Sequence, residues 1–277
     1  MFVVESSGLT DVGQKRKLNE DNFFVDDNLK LYVVADGMGG HQAGEVASEM
    51  VVDTIRDYMK RFKEGAPDAV EELEDADEAL SQEANRILSS IILANRGVHD
   101  VAQSDESYEG MGATVSLAYF TEDALIVANV GDSPVYLVHN GNIELLSVIH
   151  NVITEQSAVN PDAVDFISDQ YKYLLTRGMG IEETVEPDIS EIQYFNGDIL
   201  VISSDGLTDL VTPEEILEVV NNKPTDDACR ILVDMANDRG GHDNVTVVVL
   251  KVKSEKEKSW VGKLFSKIGS VFRFFLE

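Results

Sequence analysis

The chain alternates between short apolar runs and polar interruptions, and many of the runs close on an acidic residue. Residues 31–36, LYVVAD, predict a strand that ends on Asp36. From about 44 to 62 the apolar positions recur at helical spacing. A second long helix is expected over about 78–103, with Ile87, Ile91, Leu93 and Ala94 on its apolar side. The acidic stretch KEGAPDAVEELEDADEAL between the two reads as a solvated linker.

Beyond residue 111 the period changes. The stretch GATVSLAYFTEDALIVANVGDSPVYLVHNGNIELLS predicts a meander of strands, with turns at Thr121-Glu122-Asp123, Gly131-Asp132 and Asn140-Gly141. Residues 148–180 are mixed in composition and read as an irregular insertion. Strands are expected at about 188–194 and 198–204, helices near 213–221 and 225–238, and a last strand at NVTVVVLKV. Antiparallel strands with helices in separate pairs predict an α+β fold of two packed sheets flanked by helices.

The aspartates change the picture. LYVVADG ends at Asp36, LIVANVGD at Asp132 and LVISSDG at Asp205, while GGHDNVTVVVL places Asp243 at the start of a strand. RKLNED puts Glu20 and Asp21 before another apolar run. Any one Asp-Gly pair is simply a turn. Carboxylates at several strand ends can instead converge on one rim, where they repel each other unless hard cations such as Mg²⁺ or Mn²⁺ bind them. The histidines are scattered without an HExxH pair, which disfavours zinc. In DGMGGHQAG the glycines allow a sharp turn after Asp36 and leave the Gly37 carbonyl free to face a cation. A dinucleotide loop starting at Gly37 fails at Gln42, and the Gly-Lys-Ser/Thr of a P-loop is absent. Arg16, beside the acidic pair, suits a fork gripping a phosphoryl group.

Composition narrows the partners. The 277 residues carry 22 Lys+Arg against 51 Asp+Glu, a net charge of −29, so nucleic acid is not an expected partner. A single cysteine, Cys229, excludes a disulfide framework, and without an arginine six positions on it also excludes cysteine-based phosphate chemistry. The N-terminal segment has no signal-peptide pattern, and no apolar stretch is long enough to span a bilayer. A cytoplasmic monomer is expected.

The ordered motifs GLTDVGQKRKLNEDN, VVADGMGGHQAGEVAS, GMGATVSLAYF, ANVGDSPVYLV, LLTRGMG, GDILVISSDGLTDLV and GGHDNVTVVVL cover residues 8–252. This set resembles the metal-dependent protein phosphatases of type 2C (the PPM family), most closely the bacterial serine/threonine branch. The resemblance implies a four-layer α-β-β-α sandwich over residues 1–253 with a metal centre at one edge and a flap at about 148–180. It implies two core ions, Mn²⁺ or Mg²⁺, with Asp36 bridging both and the Gly37 carbonyl binding one. Asp205 and Asp243 complete the other, and Glu20 and Asp21 ligate directly or through water. Asp132, assisted by Asp209, matches the residue for a third, weaker ion. Arg16 would bind the substrate phosphate, and His41 is the nearest equivalent of the family's general acid. The implied activity is hydrolysis of phosphoserine and phosphothreonine on the protein substrates of a serine/threonine kinase. The rival reading, an inactive scaffold that binds phosphoproteins, predicts lost acidic ligands, and Asp36, Asp205 and Asp243 are all present.

The last stretch, residues 254–277, lies beyond the final motif. On a helical wheel Trp260, Leu264, Phe265, Ile268, Phe272 and Phe275 share one broad face, with Lys263, Lys267 and Arg273 opposite. Such a helix either docks on the acidic body or binds an anionic membrane surface or a partner's groove.

Overall fold

The computed structural model describes residues 2–39, 43–65, 76–104, 106–161, 167–168, 171 and 173–254. The chain begins with β1 (Phe2–Asp11), β2 (Asp21–Asp26) and β3 (Leu31–Met38), followed by α1 (Ala43–Lys63) and α2 (Gln82–Ser104). The short β4 (Gly112–Ala113) leads into a meander of β5 (Val115–Phe120), β6 (Leu125–Val130), β7 (Val135–His139) and β8 (Asn142–Leu145). After α3 (Val152–Val159) come β9 (Asp188–Ile192), β10 (Ile199–Ser203) and the single turn α4 (Asp205–Thr208). The helices α5 (Pro213–Asn222) and α6 (Thr225–Asp238) and the strand β11 (Val245–Ser254) complete the described chain.

Both sheets are antiparallel. One has the order β1-β11-β10-β7-β8 and the other β2-β3-β5-β6-β9, with β4 attached to β3. Side chains alternate along each strand, so the central strands feed two cores at once. In β3, Leu31, Val33 and Ala35 pack with Val51 and Ile55 of α1 and Ile87 and Ile91 of α2, while Tyr32 and Val34 face the other sheet. In β11, Val247 and Val249 pack with Leu232 and Val233 of α6, while Val248 and Leu250 join the core between the sheets. Three cores separate four layers, in the order α-β-β-α. Because both faces of each sheet are covered, the central strands read as almost unbroken apolar runs. Each buried aliphatic side chain stabilises the sandwich by about 1.5–3 kcal/mol.

Local signals set the element ends. Thr212 and Glu215 close a capping box at α5, with Pro213 in its first turn. The Asn140-Gly141 hairpin has φ of 50° and 80° at its two turn residues, as the Asn-Gly pair predicts.

Four expectations need correction. The strand does not stop at Asp36 but runs to Met38, because Gly37 and Met38 pair with β4. The second helix starts at Gln82, where the Ser81 hydroxyl accepts the Ala84 N–H and caps it. Leu93 is 42% exposed, because the buried stripe of α2 runs through Ala84, Ile87, Ile91, Ala94 and Val98 and leaves it to one side. Residues 148–180 include the helix α3, and their ends belong to the core, with His150 and Met179 fully buried. Residues 66–75 of the acidic stretch and the stretch 255–277 lie outside the described residues. Among the described residues no helix is long and apolar enough to cross a membrane.

Candidate metal centre

Register brings the first two carboxylates together. Asp21 opens β2 directly opposite Asp36 on β3. The backbone of Asp36 is clamped by Thr114, whose Oγ1 accepts the Asp36 N–H (3.0 Å) and whose N–H donates to the Asp36 carbonyl (2.8 Å). The next residue must be glycine: a Cβ on Gly37 would stand 2.1 Å from the Gly44 carbonyl oxygen and 2.5 Å from that of Glu20.

The other sheet supplies the remaining groups. Asp205 sits in the first turn of α4, directly after β10. The Asp-Gly pair is again steric, since a Cβ on Gly206 would lie 2.0 Å from the Asn244 carbonyl oxygen. Asp243 immediately precedes Asn244, whose N–H it accepts at 2.8 Å. The Arg16 guanidinium donates to Asp243 Oδ2 at 2.7 Å and lies 3.9 Å from Glu20. A cavity of about 210 Å³ is lined by Arg16, Glu20, Asp36, Gly37, Asp132, Asp205 and Asp243, together with Thr114, Met38, Gly39, Tyr173 and Leu175. Asp21 stands behind it, only 8% exposed. Asp209 and His242 line a neighbouring cavity of about 250 Å³ that shares Asp243 and Tyr173. His41 falls outside the described residues.

A directed chain of hydrogen bonds holds Asp21. Its Oδ2 accepts from Ser204 Oγ (2.8 Å) and Thr246 Oγ1 (2.7 Å). Thr246 has then spent its proton, so Thr10 donates to Thr246 (2.7 Å), and Asn19 donates to Thr10 (2.8 Å). Asn244 ties the Arg16–Glu20 loop to β11. Its Oδ1 accepts the Glu20 N–H (2.8 Å), and its amide donates to the carbonyls of Val12 (3.0 Å) and Leu18 (2.9 Å).

The electrostatics are those of crowded acids. Burial, with the charges of Asp21 and Asp205 next, pushes Asp36 well above the usual carboxylate range. Burial and the charge of Asp132 raise Asp205 to about 8. Burial raises Asp21 to about 6 against the opposing hydroxyl bonds, and burial with the charge of Asp209 raises Asp132 to about 6. Three carboxylate oxygens, Glu20 Oε1, Asp21 Oδ1 and Asp205 Oδ1, are buried without a hydrogen-bond partner. Hard divalent cations fit this donor set, since they satisfy orphaned oxygens and cancel the repulsion together. Among the described residues no three acidic, histidine or cysteine side chains already close on a single point, so the carboxylates ring a cavity rather than a preformed knot.

Residues 13–223 match the family model described as Protein phosphatase 2C. The chain belongs to the protein phosphatase 2C family. It is 35% identical over 247 residues to the Listeria monocytogenes serine/threonine phosphatase stp, covering 87% of this chain and 93% of that one. The structure of the S. agalactiae serine/threonine phosphatase superposes with a TM-score of 0.74 at 34% identity, covering 90% of this chain and 99% of that one. The catalytic domain of the phosphatase PstP in complex with 2 manganese ions superposes with a TM-score of 0.76 at 27% identity, covering 92% and 100%. This protein phosphatase 2C is a metal-dependent serine/threonine protein phosphatase with the four-layer fold of its neighbours.

Sequence reasoning missed Ser204, Thr246, Asn244 and Thr114. The signal available for Asn244 was its place between Asp243 and the last strand. The hydroxyl residues carried none, because their roles arise only when distant strands pair. The insertion also reaches the site through Tyr173 and Leu175. Its base is fastened by His150, whose Nδ1 accepts the Gly131 N–H (3.1 Å) and whose Nε2 therefore donates to Asp188 (2.7 Å).

Proposed function

We propose that the phosphatase hydrolyses phosphoserine and phosphothreonine on proteins at a two-cation centre held by Asp36, Asp205 and Asp243, with the Gly37 carbonyl as a further ligand. Glu20 and Asp21 ligate directly or through water, and Asp132 with Asp209 holds a third, weaker ion. The three orphaned carboxylate oxygens carry this reading, because buried acceptors left without a partner cost about 1–3 kcal/mol each unless a ligand takes them up. Mn²⁺ or Mg²⁺ held by these residues would supply Lewis-acid charge and make water more acidic at neutral pH.

The chain's own residues do the rest. Among the described residues that line the cavity Arg16 is the only basic one, and its fork suits two oxygens of the phosphoryl group. Tyr173 and Leu175 bring the insertion to the wall of the cavity, beside the route by which substrate enters. Thr114 and Asn244 fix the backbone of the Asp36 and Glu20 segments, so the ligands stand ready before substrate arrives. His41 is the proposed proton donor to the leaving serine or threonine oxygen. The substrates are phosphoproteins made by a serine/threonine kinase, and the tail at 254–277 either docks on the acidic body or binds an anionic membrane surface or a partner, and takes no part in the chemistry.

Calorimetric titration of chelator-stripped protein tests the centre. Wild type should bind two Mn²⁺ ions tightly and a third weakly, and Asp205→Asn should lose at least one of the tight two. Equal stoichiometry and affinity in the two proteins would remove Asp205 from the centre.

A further inference from the structure

A third cavity, of about 580 Å³, adjoins the aspartate cavity and shares Met38, Tyr173 and Leu175 with it. Its walls are unlike those of its neighbour. Met38, Leu174, Leu175, Ile181 and Val185 present apolar surface, and Ile181 is 50% exposed. Two glycines keep the hollow open. A Cβ on Gly178 would stand 2.6 Å from Met38 Cε, and one on Gly112 would stand 2.8 Å from Ile181 Cδ1. Both side chains therefore lie flat against bare backbone. The charged groups sit at the rim. Glu182 and Glu186 are exposed there, while Arg177 is already engaged by Asp188 (3.0 Å) and the Glu186 carbonyl (3.2 Å).

We infer that this hollow is a substrate subsite that receives an apolar side chain flanking the phosphorylated serine or threonine. The inference rests on the phosphoprotein reading of the neighbouring cavity. Shared walls mean that a chain with its phosphoryl group beside Arg16 carries its adjacent side chain over Met38 and Leu175. Covering that surface removes apolar area from water on both partners, which favours a leucine-like group over none. The exposed carboxylates at the rim, on a chain of net charge −29, oppose an acidic group in the same place. The subsite therefore selects phosphorylated segments with apolar and non-acidic flanks.

The test uses three phosphothreonine peptides, identical except that the residues on both sides of the phosphothreonine are Leu, Gly or Asp. Values of kcat/KM are measured with saturating Mn²⁺ for the full chain and for Ile181→Glu and Ile181→Ala, each checked for an unchanged melting transition. The wild type should favour Leu over Gly by roughly tenfold, the scale on which one apolar group discriminates in a pocket, with Asp last. Ile181→Glu should bring the Leu-to-Gly ratio to within about twofold, and Ile181→Ala should fall between. Equal kcat/KM for the Leu and Gly peptides in wild type, or a ratio unmoved by both variants, overturns the subsite while leaving the phosphatase reading intact. Hydrolysis of none of the three overturns the phosphoprotein reading and the subsite with it.

Discussion

Arg16 Nη2 and Asp243 Oδ2 meet at 2.7 Å, so the proposed phosphate fork rests on a proposed metal ligand. Each competes for the other with the group it is meant to serve. Arg16→Ala should lower kcat/KM on a phosphothreonine peptide about thirtyfold, the equivalent of about 2 kcal/mol for a charge-assisted fork. The same variant should lower the Mn²⁺ concentration for half-maximal binding, because Asp243 loses a competing cation. Arg16→Lys should recover only part of the rate, since a point charge replaces a planar fork. Unchanged kcat/KM in Arg16→Ala would make the arginine an ordinary surface residue.

Asn244 is 3% exposed and satisfies three backbone groups of the loop from Val12 to Glu20. Asn244→Ala leaves them without partners and should cost about 1–3 kcal/mol of stability. It should also weaken Mn²⁺ binding, because Glu20 and Asp21 lose their fixed position. Thermal melts in chelator and a Mn²⁺ titration check the two effects. A variant with wild-type melting and wild-type metal affinity would show that the clamp does not position the carboxylates.

The raised carboxylates give the stability a definite pH dependence. Asp205 at about 8, and Asp21 and Asp132 at about 6, stay protonated in the folded chain where an unfolded aspartate, at about 3.9, has ionised. The folded state then binds more protons than the unfolded state, so stability falls as pH rises from about 4 to about 8. Chelator-treated protein should melt at a higher temperature at pH 5 than at pH 8. Saturating Mn²⁺ should reverse the order, because the cations need ionised ligands. A chelated protein that is more stable at pH 8 would contradict the crowding of these acids.

The β1–β11 ladder sets Ser254, the last described residue, far from the candidate metal centre. Val245, two residues after Asp243, pairs with Asp11 at one end, and Ser254 pairs with Phe2 at the other. At about 3.3 Å per residue the two ends lie roughly 30 Å apart. A chain ending at Ser254 should therefore keep its metal-dependent hydrolysis of a phosphothreonine peptide within about twofold, as expected when no contact to the reacting group is removed. It should also lose any sedimentation with anionic vesicles that the full chain shows. A large loss of kcat would place the tail at the active site.

The parts of this molecule legible in the sequence are those whose cause is local. Leu31–Ala35 and Val245–Leu250 declare themselves as almost unbroken apolar runs, while the close approach of backbone to Gly37 and Gly206 shows only in the fold. Asp36, Asp205 and Asp243 stand out as carboxylates at the edges of apolar runs. β1 was not predicted, since FVVESSGLTD mixes polar and apolar residues and every position of the strand is only half-buried. The support of Asp21 was equally hidden: Ser204 and Thr246 lie 183 and 225 residues away, and only the pairing of β10 with β11 makes them neighbours of its carboxylate.

The central claim is that buried aspartates hold the cations on which phosphoprotein hydrolysis depends. Its most direct test is the rate of phosphate release from a phosphothreonine protein by chelator-dialysed enzyme, measured against added Mn²⁺ or Mg²⁺ for wild type and Asp36→Asn. The account predicts no release without metal, restoration by either ion in wild type, and little or none in Asp36→Asn at any concentration. Full turnover by the dialysed enzyme in excess chelator, or a wild-type rate from Asp36→Asn, would contradict it.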